Sequence, residues 1–515
     1  MVNDERGCLS VGAVYEAGLD PVARRRGAHY TPHDVASTLV TRVLRQWRGI
    51  GPPVMCDPAC GGGVFLVAAA DALAQSGLDP RRIVDELLIG VDLDAGAVAT
   101  SIEALRLWSD EHGVSTSPRV LRADALAANA RVDGRVDIVV GNPPFQSQMT
   151  SHNARTQGDR DQLVARFGDA ARGYVDSAAL FVVRALEMVR PGGVVALVLP
   201  RSFLAARDAA GVRAAVLGSG HVVECWIPGE RLFDASVDVC VPLIRCGDGG
   251  SATQVVSGRQ GDIARGSVSA TALSGGTWSA LLAAADRVPE ITSVSSAVIG
   301  DVATATAGFR DQYYGFVGHV SDEPGPVGRW ARLATTAMID PGRCGWGRVD
   351  VRFAKQRWSS PHVDLDAVAR ETPALMRWVE RMLVPKVIVA TQTRTIEAVA
   401  DVEGAYVPST PLISVIPSGA TSAEHIASAL LAPPSAAWAF RRFGGAGMSA
   451  GALKLAARDV VQIPLPRDVE PWHEATGLLR AEGTDLDWPR IGTLLCDAWA
   501  VPAADVLRWW LERVI

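Results

Sequence analysis

The chain has 515 residues, 48% hydrophobic and 21% charged, which is enough for two or three domains with real cores and ordinary for a soluble globular protein. No apolar run approaches the ~18 residues of a membrane-spanning helix, and the opening MVNDERGCLS mixes charges of both signs without an apolar stretch, so no secretory signal is read there and a cytoplasmic location is expected. The net charge of −6 does not advertise nucleic-acid binding, yet leaves room for a local basic cleft.

The eight cysteines are scattered. Cys56 and Cys60 stand four apart, but no second pair with histidines follows at zinc-ligand spacing, so reduced thiols and no metal are expected. Lysine occurs only at Lys355, Lys386 and Lys454. The remaining cations are arginines, which suit bidentate phosphate and guanine contacts, but an excess of Arg, Ala and Val equally reflects a GC-rich genome.

In chain order, apolar residues at helical spacing predict a helix over 34–48. PVMCDPACGGGVFLVAAADALA reads as a short strand, a Gly-rich turn and a helix. LLIGVDLD is a second strand with acids at its end, AGAVATSIEALRLWSDE a helix, and RVLRADAL a third strand and turn. VDIVVGNPPF is a buried strand closing on a Pro-Pro turn, followed by a helix in YVDSAALFVVRALEMVR and a strand in VVALVLP. Such strand–helix alternation predicts an α/β, doubly wound, mainly parallel sheet of Rossmann-like type. After about residue 245 the pattern breaks, and GDGGS and SVSATALSGGT read as loops or linkers. The expected organisation is a domain over 1–250, a connecting segment over 251–289, and a mixed α+β domain over 290–515.

Four segments carry candidate chemistry. Asp57-Pro58-Ala59-Cys60-Gly61-Gly62-Gly63 follows a strand and opens a helix, a place where glycine lets backbone approach a ligand; alone it is a tight turn. Asp92, at the end of the next strand, is placed to accept both hydroxyls of a ribose. Lysine is absent from the Gly loop, so a phosphate-gripping loop is not expected. Asp124, after the third strand, can accept from the exocyclic amine of an adenine ring, or can cap a helix. Asn142-Pro143-Pro144-Phe145 offers the Asn side-chain oxygen and the Pro143 carbonyl to one ligand NH2, with Phe145 as a stacking plate; in isolation it is a Pro-Pro turn.

Together, Gly27-Ala28-His29-Tyr30-Thr31-Pro32, Asp57 to Leu66, Gly90-Val91-Asp92-Leu93-Asp94, Ala123-Asp124-Ala125 and Asn142-Pro143-Pro144-Phe145, in that order, closely resemble the gamma-class (Taq-type) adenine-N6 DNA methyltransferases. The resemblance covers about residues 24–245. It implies a Rossmann-like methyltransferase domain followed by a DNA target-recognition domain, with S-adenosylmethionine as cofactor and double-stranded DNA as partner. Tyr30, Thr31 and Pro32 would line the methionine end of the cofactor. Asp57, Pro58, Ala59, Cys60, Gly61 and Gly63 would cradle it, with Asp92 and Leu93 at its ribose and Asp124 and Ala125 at its adenine. Asn142, Pro143, Pro144 and Phe145 would hold the target base, which must leave the helical stack because N6 is out of reach within it. The methyl group would then pass in line from sulfonium to nitrogen, by positioning and polarisation. Phe233, in Arg231-Leu232-Phe233-Asp234, stands where such enzymes carry a second aromatic against the base, or is a core Phe. Gly62 departs from the small polar residues frequent in the family.

The polar stretch Gln146–Gly173, with Arg155, Arg160, Arg166 and Arg172, would close over DNA or be a solvated lid. Residues 300–320, Arg441 to Gly447, Lys454 and Ile463-Pro464-Leu465-Pro466 resemble parts of a target-recognition domain. No nuclease signature is found, so the chain is expected to modify DNA without cutting it, leaving a separate restriction or defence subunit as a further partner. Two alternatives stand beside this: a methyltransferase of another NH2 group, in RNA or a protein glutamine, and a non-catalytic DNA-binding subunit of a defence complex.

Overall fold

The computed structural model describes residues 7–18, 31–128, 131–145, 157–230, 232, 238–247, 249–291, 294–445, 452–480 and 486–515. It divides into two compact units, Met1–Arg287 and Val288–Ile515.

The first unit begins with helices α1 (Gly7–Ala17) and α2 (His33–Gln46). There follow β1 (Met55–Asp57), α3 (Val64–Gln75), β2 (Leu88–Asp92), α4 (Ala95–Glu111), β3 (Val120–Arg122) and β4 (Val136–Gly141). Then come α5 (Gln157–Phe167), α6 (Ser177–Met188), β5 (Val189–Leu197), β6 (Leu199–Pro200) and α7 (Ala210–Ser219). The unit closes with β7 (Gly220–Trp226), β8 (Val239–Cys246), β9 (Ala252–Ser257), β10 (Ile263–Ser269) and α8 (Ser279–Ala285). The sheet runs β10-β9-β7-β8-β5-β4-β1-β2-β3, with β6 paired to β8. From β3 through β5 all neighbours are parallel, and β8 enters antiparallel between β5 and β7. The order reverses between β1 and β4, so the crevice outside their carboxyl ends is where such a sheet takes its ligand.

The apolar run of β4 is explained by burial on both faces. Val139 points into one core, with Ala178, Leu180 and Val182 of α6 and Val212 of α7. Its neighbours Ile138 and Val140 point into the other, with Leu39 of α2, Phe65 of α3 and Trp108 of α4. This two-residue alternation, with helices on both sides, is the doubly wound architecture expected from the sequence.

Of the segment expected to connect domains, 251–289, residues 251–287 are instead part of this unit. β9 pairs parallel with β7 and antiparallel with β10, and Trp278 is fully buried edge-on against Phe203, ring centroids 5.7 Å apart. An edge hairpin buries alternate residues only. Here even a buried position is polar: Thr253 donates its hydroxyl to the Val222 carbonyl at 2.7 Å. That composition reads as linker when no partner strand is in view.

The second unit is mixed α+β. One four-stranded sheet runs Ala303–Ala307, Ile413–Pro417, Lys386–Val389, Ala398–Asp401; another runs Val320–Ser321, His362–Asp364, Trp330–Ala334, Tyr406–Pro408. Its longer helices are Pro373–Met382, Ala423–Leu431, Pro433–Phe443, Val469–Arg480, Trp488–Ala498 and Ala503–Val514. Lys386 and Asp401 form a buried ion pair between adjacent strands. Asp401 also accepts the N–H groups of Ala405 (2.9 Å) and Tyr406 (3.1 Å), which organises the turn after it. Among the described residues no helix is long and apolar enough to cross a membrane.

Candidate active site

Four acceptor-bearing segments lie side by side at the carboxyl ends of adjacent parallel strands: Asp57 ends β1, Asp92 ends β2, Asp124 follows β3, and Asn142 follows β4. Their proximity follows from topology, since each short strand delivers its last residue to the same edge.

Asp57 is buried, and its Oδ1 accepts the Ala59 N–H at 3.0 Å. Burial pushes its carboxyl up to about 8, with the Ala59 N–H pulling down and the charge of Asp92 adding to the rise. Space for this carboxyl is made by Gly141 at the end of β4, where a Cβ would stand 2.4 Å from Asp57 Oδ1. The Gly loop then turns sharply. Gly61 (φ 50°) and Gly63 (φ 86°) occupy left-handed backbone that side chains disfavour. Cys60 N–H bonds the Val91 carbonyl at 3.0 Å, and Gly61 N–H donates to Asp92 Oδ2 at 3.0 Å. Ser101, in α4, holds the Gly61 carbonyl with its hydroxyl at 2.8 Å.

Asp92 also accepts the Asp94 N–H at 2.9 Å through Oδ1. Its pKa is raised, chiefly by burial, against the lowering effect of those two N–H donors. Leu93 is 69% exposed beside it, an apolar plate next to the Asp92 carboxyl. Asp124 is exposed and caps its own turn, Oδ1 accepting the Leu126 N–H at 2.9 Å. Its turn is fastened from α6. There Arg184, fully buried, donates Nε to the carbonyls of Ala125 (2.9 Å) and Ala127 (3.1 Å) and pairs with Asp133 and Glu187.

After β4, the Asn142 amide nitrogen donates to the buried Thr31 hydroxyl at 3.0 Å, and the buried Ser177 hydroxyl donates to the Pro144 carbonyl at 2.8 Å. Pro143 is buried and Phe145 is half-buried, packed against both cores. Pro32 is the residue before α2. Tyr30 and Phe233 lie outside the described residues, as do 146–156, including Arg155.

Four anchors of this site had no sequence motif: Ser101, Ser177, Arg184 and α1. Gly12 of α1 packs directly on the loop, so that a Cβ on Gly62 would stand 2.6 Å from the Gly12 Cα. That contact accounts for glycine at position 62. Tyr15 of α1 adds a bond from its hydroxyl to Asp94 at 2.6 Å, which lowers the Asp94 pKa. The stretch read as a polar loop contains α5. Arg166 there pairs with Glu187, Arg160 lies 5.6 Å from the Tyr174 ring, and Arg172 pairs with Asp169 at 3.0 Å. In the second unit, Arg441 bonds the Val288 carbonyl at 3.0 Å, Arg442 stacks on Trp438 at 4.1 Å, and Lys454 is exposed. Cys56 and Cys60 are buried free thiols, Cys56 facing the sheet core and Cys60 within reach of the Ser101 hydroxyl at 3.4 Å.

Residues 9–256 match the sequence profile of the N-6 DNA Methylase family. The type II methyltransferase M.VspI of Vibrio sp. (strain 343) is 24% identical over 248 residues, 48% of this chain and 55% of that protein. The type II methyltransferase M.BanIII of Aneurinibacillus aneurinilyticus is 24% identical over 232 residues, 42% of this chain and 37% of that protein. The chain thus spans about half the length, or less, of these curated relatives. Among solved structures, the type IIL restriction-modification enzyme MmeI in complex with DNA superposes with a TM-score of 0.60 at 12% identity, covering 98% of this chain and 81% of that one. At that identity the likeness is one of fold.

Proposed function

We propose that this chain, whose residues 9–256 match the profile of the N-6 DNA Methylase family, transfers a methyl group from S-adenosylmethionine to N6 of an adenine extruded from double-stranded DNA, as a modification enzyme of the gamma arrangement. The observation that carries the reading is the alignment of Asp57, Asp92, Asp124 and Asn142-Pro143 along one edge of the sheet at its switch point.

The site suits the methyl donor. A left-handed glycine turn leaves backbone open to a ligand, and the buried Asp57 carboxyl complements a cation. Asp57 to Gly63 and Pro32 would hold its amino-acid end, Asp92 with Leu93 its ribose, and Asp124 and Ala125 its adenine. When bound, it supplies an electrophilic methyl on a sulfonium. The chain's own contribution is to present the acceptor nitrogen. Asn142 Oδ1 and the Pro143 carbonyl each accept one N–H of the target amine and draw its lone pair out of the ring, while Phe145 stacks on the base. As the new N–C bond forms the amine gives up one proton, which passes to water because neither carbonyl acceptor is basic enough to keep it.

The second unit, by this reading, recognises the target sequence, and a separate restriction or defence subunit is the expected partner. The relatives' description as type II methyltransferases supports the placement in restriction-modification. The test is a methylome. The chain and its Asn142→Ala variant are expressed in a host without adenine methylation and modified bases are mapped by single-molecule sequencing. N6-methyladenine at one motif, absent in the variant, supports the proposal. Unmodified DNA beside methylated RNA or protein glutamine, in a labelled-methyl assay, refutes it in favour of another NH2 substrate.

A further inference from the structure

The catalytic loop has an anchoring problem built into its sequence. Pro143 and Pro144 have no N–H, so the segment cannot be held by its own backbone donors. It must be held through carbonyls and side chains. Gly141, before it, is tied by its carbonyl to the Val198 N–H at 3.0 Å. Beyond that point two hydroxyls from elsewhere do the holding. Thr31 precedes α2 and lies 111 residues away in sequence; Ser177 is the first residue of α6 and lies 33 residues from Pro144. Both are buried, at 3% and 4% exposure.

The pattern of what is held and what is left is selective. The Asn142 amide is held by its nitrogen, and no described residue donates to its Oδ1. The Pro144 carbonyl is taken by Ser177, whereas no described residue donates to the Pro143 carbonyl. The two atoms left over are the two acceptors that an exocyclic NH2 requires. A bond at the amide nitrogen fixes the plane of the amide, and with it the place of Oδ1.

We propose that Thr31 and Ser177 are positioning residues for methyl transfer: Thr31 pins the Asn142 amide by its nitrogen and so fixes where Oδ1 stands before the target amine, and Ser177 fixes the height of the adjoining Pro143 carbonyl through Pro144. The assignment rests on the DNA-methylation reading and gives Thr31 a different duty from that of a cofactor contact. The coupling is local: Thr31 reaches the reacting atoms only through Asn142.

The experiment compares wild type, Thr31→Val, Thr31→Ser and Ser177→Ala. Each is measured for S-adenosylhomocysteine affinity by calorimetry, for single-turnover transfer of labelled methyl to DNA at saturating cofactor, and for thermal unfolding. The expected result is a transfer rate about 10- to 100-fold lower for Thr31→Val and Ser177→Ala, the range that misplacement of a reacting group produces. S-adenosylhomocysteine affinity should stay within about twofold of wild type, and Thr31→Ser, which restores the hydroxyl, should recover most of the rate. Thr31→Val that weakens S-adenosylhomocysteine binding while leaving the saturated rate intact overturns the assignment, because Thr31 would then be a cofactor contact. Equal rates in all four proteins overturn it as well. If Thr31→Val unfolds, Ser177→Ala carries the same rate-against-affinity comparison. Wild-type protein that binds S-adenosylhomocysteine and transfers no methyl to DNA overturns the methylation reading itself, and this assignment with it.

Discussion

On the proposed reading, in which Asp57 faces the cationic end of the cofactor, its protonation state makes cofactor binding a function of pH. The carboxyl is fully enclosed and pushed up to about 8, so in the free protein near neutral pH it is mostly neutral. A ligand bearing an ammonium and a sulfonium favours the ionised form, so binding must release this proton. With a pKa of about 8, about a tenth of the protein is ionised at pH 7 and about a hundredth at pH 6, and the apparent affinity scales with that fraction. Calorimetric titration with S-adenosylhomocysteine, whose ammonium makes the same demand, should show Kd falling about tenfold from pH 6 to 7 and about fivefold more to pH 8, then levelling. Buffers of different ionisation enthalpy should reveal close to one proton released at pH 7. Asp57→Asn should bind weakly and without this slope. Stability supplies a second check. A folded-state pKa raised above the unfolded value of 3.8 gives stability that is full below the unfolded pKa and is lost as pH rises through the folded one. Relative to Asp57→Asn, wild type should therefore lose about 1.4 kcal/mol per pH unit between about pH 4 and 8, and nothing further above. A Kd unchanged between pH 6 and 9 would refute the argument, showing that Asp57 is already ionised or faces no positive charge of the ligand.

Three further outcomes follow from the packing. Arg184→Met removes the cation that fastens the Asp124 turn and takes the donor from the carbonyls of Ala125 and Ala127; urea unfolding should show a loss of about 2 kcal/mol or more, and a change below about 1 kcal/mol would deny Arg184 its anchoring role. Gly62→Ala drives a Cβ to 2.6 Å from the Gly12 backbone, so α1 must shift. S-adenosylhomocysteine affinity should drop about tenfold, while unfolding should fall by about 1–3 kcal/mol; unchanged affinity would mean that α1 does not shape the loop. DNA affinity should fall at least about tenfold between about 50 and 200 mM salt if arginines of this acidic chain contact phosphates, as measured by fluorescence anisotropy. A flat salt response would remove DNA as the substrate of choice.

Much of the first unit was legible because its signals are local. The helix over Ala95–Glu111 and the strand over Leu88–Asp92 follow from apolar periodicity and from acids at their boundaries. In a parallel α/β sheet each strand ends at the same edge, so Asp57, Asp92, Asp124 and Asn142 could be read as neighbours from chain order alone. The segment 252–285 could not, since its half-polar strands acquire meaning only from the edge of β7. Nor could the engagement of Arg166 and Arg442, whose partners Glu187 and Trp438 convert two apparently free cations into structural ones.

What the sequence by itself determined is the order of elements and the kind of atom each strand brings to the site, because both depend on neighbours within a few residues. What only the tertiary structure decided is the state in which those atoms are held. Enclosure raises the Asp57 pKa, and hydroxyls from Thr31 and Ser177 bond the Asn142 amide nitrogen and the Pro144 carbonyl. Burial and hydrogen-bond partnership are properties of the packed chain, set by residues far apart in sequence.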